Sequence, residues 1–202
     1  MKQLLTAVLA LAMLCGCSIR HEIVKDYPQY LVNNLGESRL PTTGAASSYL
    51  IAPATAAHHY EFRSAMVGYA NLWIVDFGKL LEQTLQSQDV QTAFGGLAAG
   101  ANPEGSGTLV FELQNYSFTD LGAHVWMKVT LRRNGVDVFE KLYMVDGETQ
   151  GAKMFWGGVF AMKNAVQSST KHALDEILRS LILDLNNFEK GQGVSTQGAA
   201  AD

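Results

Sequence analysis

Cysteine is nearly absent from this chain of 202 residues, and both copies, Cys15 and Cys17, lie at the amino terminus. A domain folded downstream of them has no disulfide, no thiolate nucleophile and no cysteine ligand for a metal. Basic charge is also scarce, because 15 Lys and Arg stand against 19 Asp and Glu. This balance argues against a nucleic-acid partner and against binding to anionic headgroups by charge alone.

The amino terminus has the features of an export signal. Lys2 precedes an apolar run over residues 4–14, which is too short to span a bilayer as a stable helix. Residues 14–17, with the sequence LCGC, resemble the bacterial lipobox, in which a large apolar residue, a small residue and an invariant cysteine direct lipidation and cleavage. The resemblance implies a signal peptide over residues 1–16 and a lipid on Cys17. An ordinary secretory signal followed by a chance cysteine is the alternative.

Lipidation at this cysteine would determine where the protein resides. A diacylglycerol together with an amide-linked acyl chain such as palmitate anchors a protein almost permanently, since each buried methylene contributes about 0.8 kcal/mol. Ser18 follows the cysteine in place of the aspartate associated with retention in the inner membrane. We therefore expect the protein at the periplasmic face of the outer membrane. Lys2 is the only charged residue of the signal, so the remaining 186 residues carry 14 basic and 19 acidic side chains, a formal charge of −5.

Composition and periodicity predict one α+β domain over residues 47–188. Residues 17–46 contain two prolines, two glycines and scattered polar side chains without a sustained period, which predicts a tether, although part of this segment is apolar enough to pack on the domain. Residues 189–202 are rich in Gly, Gln, Ser and Ala, which predicts a disordered tail. The expected architecture is a mixed or antiparallel sheet with a carboxyl-terminal three-strand meander, backed by two helices.

The first half of the domain shows weaker patterns. Asn71 can cap a helix whose apolar residues recur at helical spacing as far as about Gln88. The other predicted elements are a strand over 47–51, an extended stretch that includes residues 60–62 and 65–67, a strand over 90–94 and a flexible loop over 95–107. The loop lacks the lysine followed by serine or threonine that a phosphate-binding loop needs.

The meander is the clearest pattern in the chain. Apolar and polar residues alternate over 109–114 and over 125–132, which predicts strands with one buried face. Asn134 and Gly135 follow, and these residue types accept the positive φ values that a type I′ turn requires. The sequence therefore predicts a tight hairpin between the second and third strands.

A two-residue loop determines the register of this hairpin. The predicted pairs are Arg132 with Asp137, Trp126 with Tyr143, and Met127 with Leu142. In this register Trp126, Phe139, Tyr143 and Thr130 cluster on the face away from the helix, and such an exposed aromatic patch predicts a surface for a partner or a lipid. Two alternatives stay open. A one-residue bulge would swap the faces of the third strand, and the amino-terminal segment or a second helix would cover the patch.

The period becomes helical from about residue 159 to residue 188, which predicts a long amphipathic helix across one face of the sheet. Lys171, Asp175 and Arg179 are spaced by four residues on the side away from the apolar stripe. We expect this side of the helix to face solvent.

An unusually apolar run, MFWGGVF at residues 154–160, precedes this helix. Phe155 and Trp156 either project from a loop toward a membrane or a partner, or dock the start of the helix on the core as a hydrophobic staple. Together with the meander patch, these two residues complete the candidate partner-binding residues.

No catalytic residue is predicted. His58 and His59 are adjacent, and adjacent residues of a strand point to opposite faces, so both cannot approach one metal without a bend. The other histidines have no partner at ligand spacing, and no G-x-S-x-G nucleophile motif is present. The sequence therefore predicts a protein that is not an enzyme and needs neither a metal nor a cofactor.

The order of the elements resembles that of a known group of lipoproteins. The chain has, in order, a lipobox, a tether, a strand and helix near residues 71–73 (NLW), a glycine-rich loop, a meander from Gly107 and a final helix ending at residues 182–185 (ILDL). This order resembles that of the ABC-transport auxiliary lipoproteins, the PqiC-like family, and more distantly that of the YajG-like lipoproteins. The resemblance implies a non-catalytic accessory protein that binds an envelope transport or assembly complex, such as an ABC transporter. The alternative function is that of a lipoprotein that binds lipid or a small apolar ligand. The third hypothesis is an envelope hydrolase. Apart from Cys17, no site residue is carried over.

Overall fold

Eight strands and five α-helices form over residues 18–101, 107–148 and 151–197, which the computed structural model describes, with the backbone alone for residues 151–157 and 192–197. The strands are β1 (Ile19–Glu22), β2 (Ser48–Ile51), β3 (His59–Phe62), β4 (Asn71–Asp76), β5 (Ala98–Ala99), β6 (Thr108–Thr119), β7 (Gly122–Arg133) and β8 (Val136–Asp146). The helices are α1 (Tyr27–Asn33), α2 (Pro53–Ala56), α3 (Phe77–Leu85), α4 (Gln88–Phe94) and α5 (Gly151–Gln197), with short 3-10 helices at Val24–Asp26 and Ala65–Val67.

The meander supplies three strands of a five-stranded mixed sheet, in the order β5-β2-β6-β7-β8. β2 runs parallel to both β5 and β6, whereas β6, β7 and β8 are antiparallel to one another in turn. Asn134 and Gly135 have φ values of 51° and 78°, as the predicted turn requires. The meander is therefore confirmed, and the strand predicted over 47–51 is confirmed as β2.

Helix α5 packs against β7 and β8 and buries the predicted apolar stripe on them. The helix is interrupted at Gly158, whose φ of 55° and ψ of −137° are not helical. It continues to Gln197, so the predicted disordered tail is wrong over residues 189–197, while residues 198–202 lie outside the described part of the chain. An ion pair between Glu189 and Arg133 joins the start of this stretch to the sheet.

A second sheet has three strands in the order β1-β4-β3, with β1 parallel and β3 antiparallel to β4. The predicted helix cap at Asn71 is wrong, because Asn71 begins β4 and the helix begins only at Phe77. Trp73 and Val75 are both fully buried and two residues apart, which is the period of a strand, and strand partners on both sides of β4 stabilise it.

The strand predicted over residues 90–94 is also wrong, because this stretch belongs to helix α4. Val90, Ala93 and Phe94 are buried, and their spacing is that of one helix face. The helix ends at Gly95, which takes the left-handed conformation common at this position. In the predicted loop that follows, Ala98 and Ala99 pair with β2 as strand β5, and residues 102–106 lie outside the described residues.

Residues 18–46 are folded onto the domain, so the predicted tether over 17–46 is wrong for this part of the chain. Ile23 and Tyr27 are fully buried, and the Tyr27 hydroxyl lies 3.0 Å from that of Thr84. The physical reason is a spacing of four residues between Ile23, Tyr27 and Leu31, which gives the segment an apolar face. The domain therefore begins at β1 rather than at residue 47.

The same segment covers one side of α5. Lys171 and Asp175 are buried, and the Lys171 ammonium donates to Ser38 Oγ at 2.7 Å. Arg179 donates to the Ser38 carbonyl, also at 2.7 Å. The predicted solvent-facing side is wrong because a periodicity within one helix does not show which distant segment returns to cover its polar face.

One hydrophobic core joins the two sheets with α1, α3, α4 and α5. The protein is therefore a single α+β domain, as predicted, although more than two helices back its sheets. Among the described residues, no helix combines the length and apolar character that a membrane span needs.

Candidate partner-binding surface

Three apolar side chains stand on the face of the five-stranded sheet that points away from α5. Trp126 of β7 lies opposite Met144 of β8, and Leu142 lies opposite Lys128 one step along the same face. Trp126, Leu142 and Met144 are between 45% and 62% exposed. We call these three residues the outer apolar surface. Large apolar side chains that remain exposed next to one another are typical of a binding surface.

A β-bulge between Leu131 and Arg132 creates this arrangement. Arg132 keeps the predicted partner Asp137, but every pair beyond the bulge is shifted by one residue. Met127 therefore lies opposite Tyr143, and the predicted pairs of Trp126 with Tyr143 and of Met127 with Leu142 are wrong. The alternative of a bulge that swaps the faces of the third strand is confirmed.

Tyr143 and Phe139 consequently face α5 and belong to the core side of the sheet. The Tyr143 hydroxyl donates to Asp184 at 2.8 Å, and burial, together with the nearby Asp184 carboxylate, raises the pKa of Tyr143. The Phe139 ring contacts the Phe188 ring of α5, with 5.8 Å between their centres. Both residues stabilise the packing of the helix, so the predicted cluster of Trp126, Phe139 and Tyr143 does not form.

Charged residues border the outer apolar surface. The Lys128 ammonium lies 2.7 Å from the carboxylate of Glu112 and 3.9 Å from that of Glu140. The hydrogen bond with Glu112 raises the pKa of Lys128, and the same bond lowers the pKa of Glu112. Thr130, which was predicted in the patch, is buried, and its hydroxyl lies 3.4 Å from Glu140. An apolar centre with a charged rim is the usual composition of a protein interface.

The outer edge of β8 adjoins this surface. β8 is the last strand in the order of the sheet, and in the described part of the chain no strand pairs with its outer edge. Its 11 residues run from Val136 to Asp146. An edge of this length can accept a further strand from a partner through main-chain hydrogen bonds. The apolar face and the open edge thus offer two modes of contact side by side.

Three further predicted site residues are Cys17, Phe155 and Trp156. Cys17 lies outside the described residues, and so do the side chains of Phe155 and Trp156. The backbone at these two positions is helical, so they do not lie on a loop. Leu142 and Met144 were not predicted, although they alternate with Tyr143 in the sequence. Placing the bulge correctly would have identified them.

The histidines occupy separate environments. His59 lies 2.8 Å from Asp76 and 3.1 Å from Glu61, and hydrogen bonds to these carboxylates raise its pKa. His58 lies among aromatic rings, and burial lowers its pKa. His124 has a carboxylate partner that sequence reasoning missed, Asp146 at 2.5 Å. Within residues 18–101, 107–148 and 151–197, no group of three or more potential ligands is placed to hold a metal ion.

A groove of about 500 Å³ lies between α1 and α3. Its apolar wall consists of Leu31, Val32 and Leu35, and its polar side includes Gln83 and Lys171. Val32 and Leu35 are exposed. This groove is the second candidate for a binding site.

Comparisons with known proteins include a distant structural likeness. No family model matches the sequence, and no curated protein matches it. Among solved structures, protein XCC0632 from Xanthomonas campestris, assigned to family DUF330, is similar with a TM-score of 0.47 at 10% sequence identity, over 76% of this chain and 91% of that one. Similarity at this level does not establish a family or a function for the chain.

Proposed function

We propose that the protein is a non-catalytic accessory protein of an envelope transport or assembly complex. It is held at the periplasmic face of the outer membrane by a lipid on Cys17, and it acts by docking another protein of the complex. The observation that carries the proposal is the outer apolar surface of Trp126, Leu142 and Met144 beside the open edge of β8.

The geometry supports contact rather than catalysis. Trp126 supplies a large aromatic anchor of the type that dominates interface energies, and Leu142 and Met144 extend it with adaptable apolar area. Lys128 and its two carboxylate partners form a rim that can orient a partner. His59 and His124 are engaged with carboxylates and are not combined with a nucleophile in the contacts described above. A surface of this kind suits an adaptor.

Site-specific photocrosslinking tests the docking surface in the membrane of the cell. A photoreactive amino acid in place of Met144 should form a covalent adduct with an envelope protein, because the side chain is exposed beside Trp126. The matched control is the same amino acid in place of Leu183, which is half exposed on α5 and away from this face. A Trp126→Ser change should reduce the Met144 adduct while the melting temperature stays nearly constant. Equal adducts from positions 144 and 183, or none from 144, would contradict the proposal.

The anchor is tested separately by intact mass. Purified protein should have the mass of a chain beginning at residue 17 plus its acyl groups, and a Cys17→Ser change should abolish both the added mass and the membrane association. An unacylated protein that retains residues 1–16 would contradict the lipid anchor without affecting the docking surface.

The groove between α1 and α3 favours a second candidate function, the binding of a lipid or another small apolar ligand. Its size and its Leu31, Val32 and Leu35 wall suit part of an acyl chain, and the amides of Gln83 and Gln86 line its polar side. Mass spectrometry of the purified protein distinguishes the two functions. Stoichiometric lipid that is lost on a Val32→Asp change would support the ligand-binding function, and lipid-free protein with a crosslinked partner would support the adaptor.

A further inference from the structure

We propose that the surface around the start of β1 lies against the lipid bilayer, with its exposed apolar side chains in the boundary between headgroups and acyl chains. The surface consists of Ile19, Met66, Tyr69 and Phe160, and we call it the membrane-facing surface. This proposal rests on the proposed lipid on Cys17 and adds to it the orientation of the whole domain.

The folded domain begins immediately after the proposed anchor. The Ile19 amide donates to the Ala70 carbonyl at 2.9 Å, and the Ser18 hydroxyl lies 3.5 Å from the same oxygen. The Arg63 guanidinium donates to the Ser18 hydroxyl at 2.5 Å. Because consecutive Cα atoms are about 3.8 Å apart, Cys17 is only one residue step from this fixed point. Acyl chains inserted from Cys17 would therefore draw this end of the domain to the bilayer surface.

Large apolar side chains are exposed at the end that is drawn to the bilayer. Ile19, Met66 and Tyr69 are between 55% and 68% exposed. Met66 lies in the 3-10 helix Ala65–Val67, which packs against α5, and Tyr69 lies just before β4. These residues come from two separate segments of the chain, yet both segments meet beside Ser18 through its contact with Arg63, whose guanidinium also donates to the Tyr69 carbonyl.

Phe160 extends this surface onto α5. Its side chain is 83% exposed, the highest exposure of any large apolar residue in the described part of the chain. Phe160 and His21 line the same surface groove. His21 is two residues from Ile19 along β1, a distance of about 7 Å, so the two exposed side chains border the same end of the domain.

The chemistry of the surface favours lipid over a protein partner. Tyrosine is enriched at the interface between membrane and water, where its apolar ring and its hydroxyl are both satisfied. An anchored domain meets the bilayer at a very high effective concentration, so a few side chains with modest partitioning suffice to hold an orientation. The mature net charge of −5 does not favour a purely electrostatic attachment, and apolar insertion does not require one.

A single-cysteine labelling experiment tests the orientation in the lipidated, full-length mature protein. The chain has only two cysteines, of which Cys15 would be removed with the signal and Cys17 blocked by its thioether, so an introduced thiol is unique. An environment-sensitive fluorophore is attached to Met66→Cys, to Tyr69→Cys or to Val136→Cys in phosphatidylethanolamine–phosphatidylglycerol vesicles that contain a spin-labelled phospholipid. Val136 is the matched control, since it is 62% exposed at the far end of the hairpin. The length of β7 separates this control position from the membrane-facing surface. Ala123, at the near end of β7, pairs with Phe118, whose ring packs on Phe62 beside Arg63. From Ala123 to Arg133, at the far end, β7 spans roughly 33 Å at 3.3 Å per residue.

The labels at positions 66 and 69 should shift their emission to the blue and lose most of it to the spin-labelled lipid, while the label at 136 should keep its emission. Emission at 66 and 69 that matches the label at 136 would overturn the proposal, and so would a blue shift without quenching, because that result means cover by protein. Intact mass is recorded on the same samples. Acylated protein with unquenched labels refutes this surface alone, whereas unacylated protein refutes the anchor on which it depends.

Discussion

Replacing Lys171 by methionine should remove a large part of the stability of the domain. Lys171 and Asp175 form an ion pair on α5 and are only 6% and 8% exposed. The Lys171 ammonium also donates to Ser38 Oγ at 2.7 Å, and that hydroxyl donates to Asp89 at 3.1 Å. Removing one member of a buried ion pair leaves the other charge without compensation and costs about 3–5 kcal/mol. For a domain of this size that loss lowers the melting temperature by about 6–20 °C.

The same change should make the stability more sensitive to pH in a defined direction. Burial raises the pKa of the Asp175 carboxyl, and the Lys171 charge opposes this rise. Without Lys171 the native state holds the Asp175 proton more tightly than the unfolded state does, so the free energy of unfolding falls as the pH rises through the raised pKa. The loss of free energy of unfolding caused by Lys171→Met should therefore be smaller at pH 5 than at pH 8.

Urea unfolding at both pH values measures the two effects. Lys79→Met is the control, because Lys79 forms an exposed pair with Asp76 at 2.8 Å and should contribute less than about 1 kcal/mol. A Lys171→Met/Asp175→Leu double change should recover most of the loss, since an apolar pair replaces the buried charges. Equal small losses for Lys171→Met and Lys79→Met, or a deficit that grows as the pH falls, would refute the reasoning.

Two further predictions concern packing. Tyr143→Ala should lower the free energy of unfolding by about 3–5 kcal/mol because Tyr143 is buried against α5, whereas Trp126→Ala should lower it by less than about 1 kcal/mol because Trp126 is half exposed. Thermal unfolding followed by circular dichroism compares the two variants. Equal losses of stability would contradict the observed register. Gly147→Ala should cost about 1–3 kcal/mol because a Cβ there would overlap the Ser169 carbonyl, while Gly44→Ala meets nothing within 4 Å and should be neutral. Matching urea midpoints for the two glycine variants would show that the close approach at Gly147 is not rigid.

Local patterns were sufficient to predict the meander and the final helix. The alternation over β6 and β7 and the Asn134-Gly135 turn act over a few residues, so they can be recognised without knowing the rest of the fold. The bulge at Leu131 and Arg132 has no such signal, because neither residue is a glycine and the gain comes from burying Tyr143 instead of Leu142 against α5. One unrecognised bulge was enough to exchange the members of the candidate surface.

The misassigned parts of the amino-terminal half depend on distant partners. β1 pairs with β4 across about 50 residues, and neither strand is long enough to be distinctive alone. The apolar spacing of Ile23, Tyr27 and Leu31 was visible, but proline and glycine in the same segment suggested a spacer. The buried state of Lys171 and Asp175 follows from this segment, so a single error about residues 18–46 produced the wrong expectation for one side of α5.

The first and last elements of the fold close on each other. Gln167 donates to the Ile23 carbonyl, Arg179 to that of Ser38 and Asn186 to that of Thr42, and each pair is more than 140 residues apart in the chain. Such contacts form late and slowly, because the intervening chain must be ordered before they are gained. The amino-terminal segment therefore cannot complete its packing before α5 has formed. A polypeptide with this closure can complete its fold only after its carboxyl-terminal helix has been synthesised.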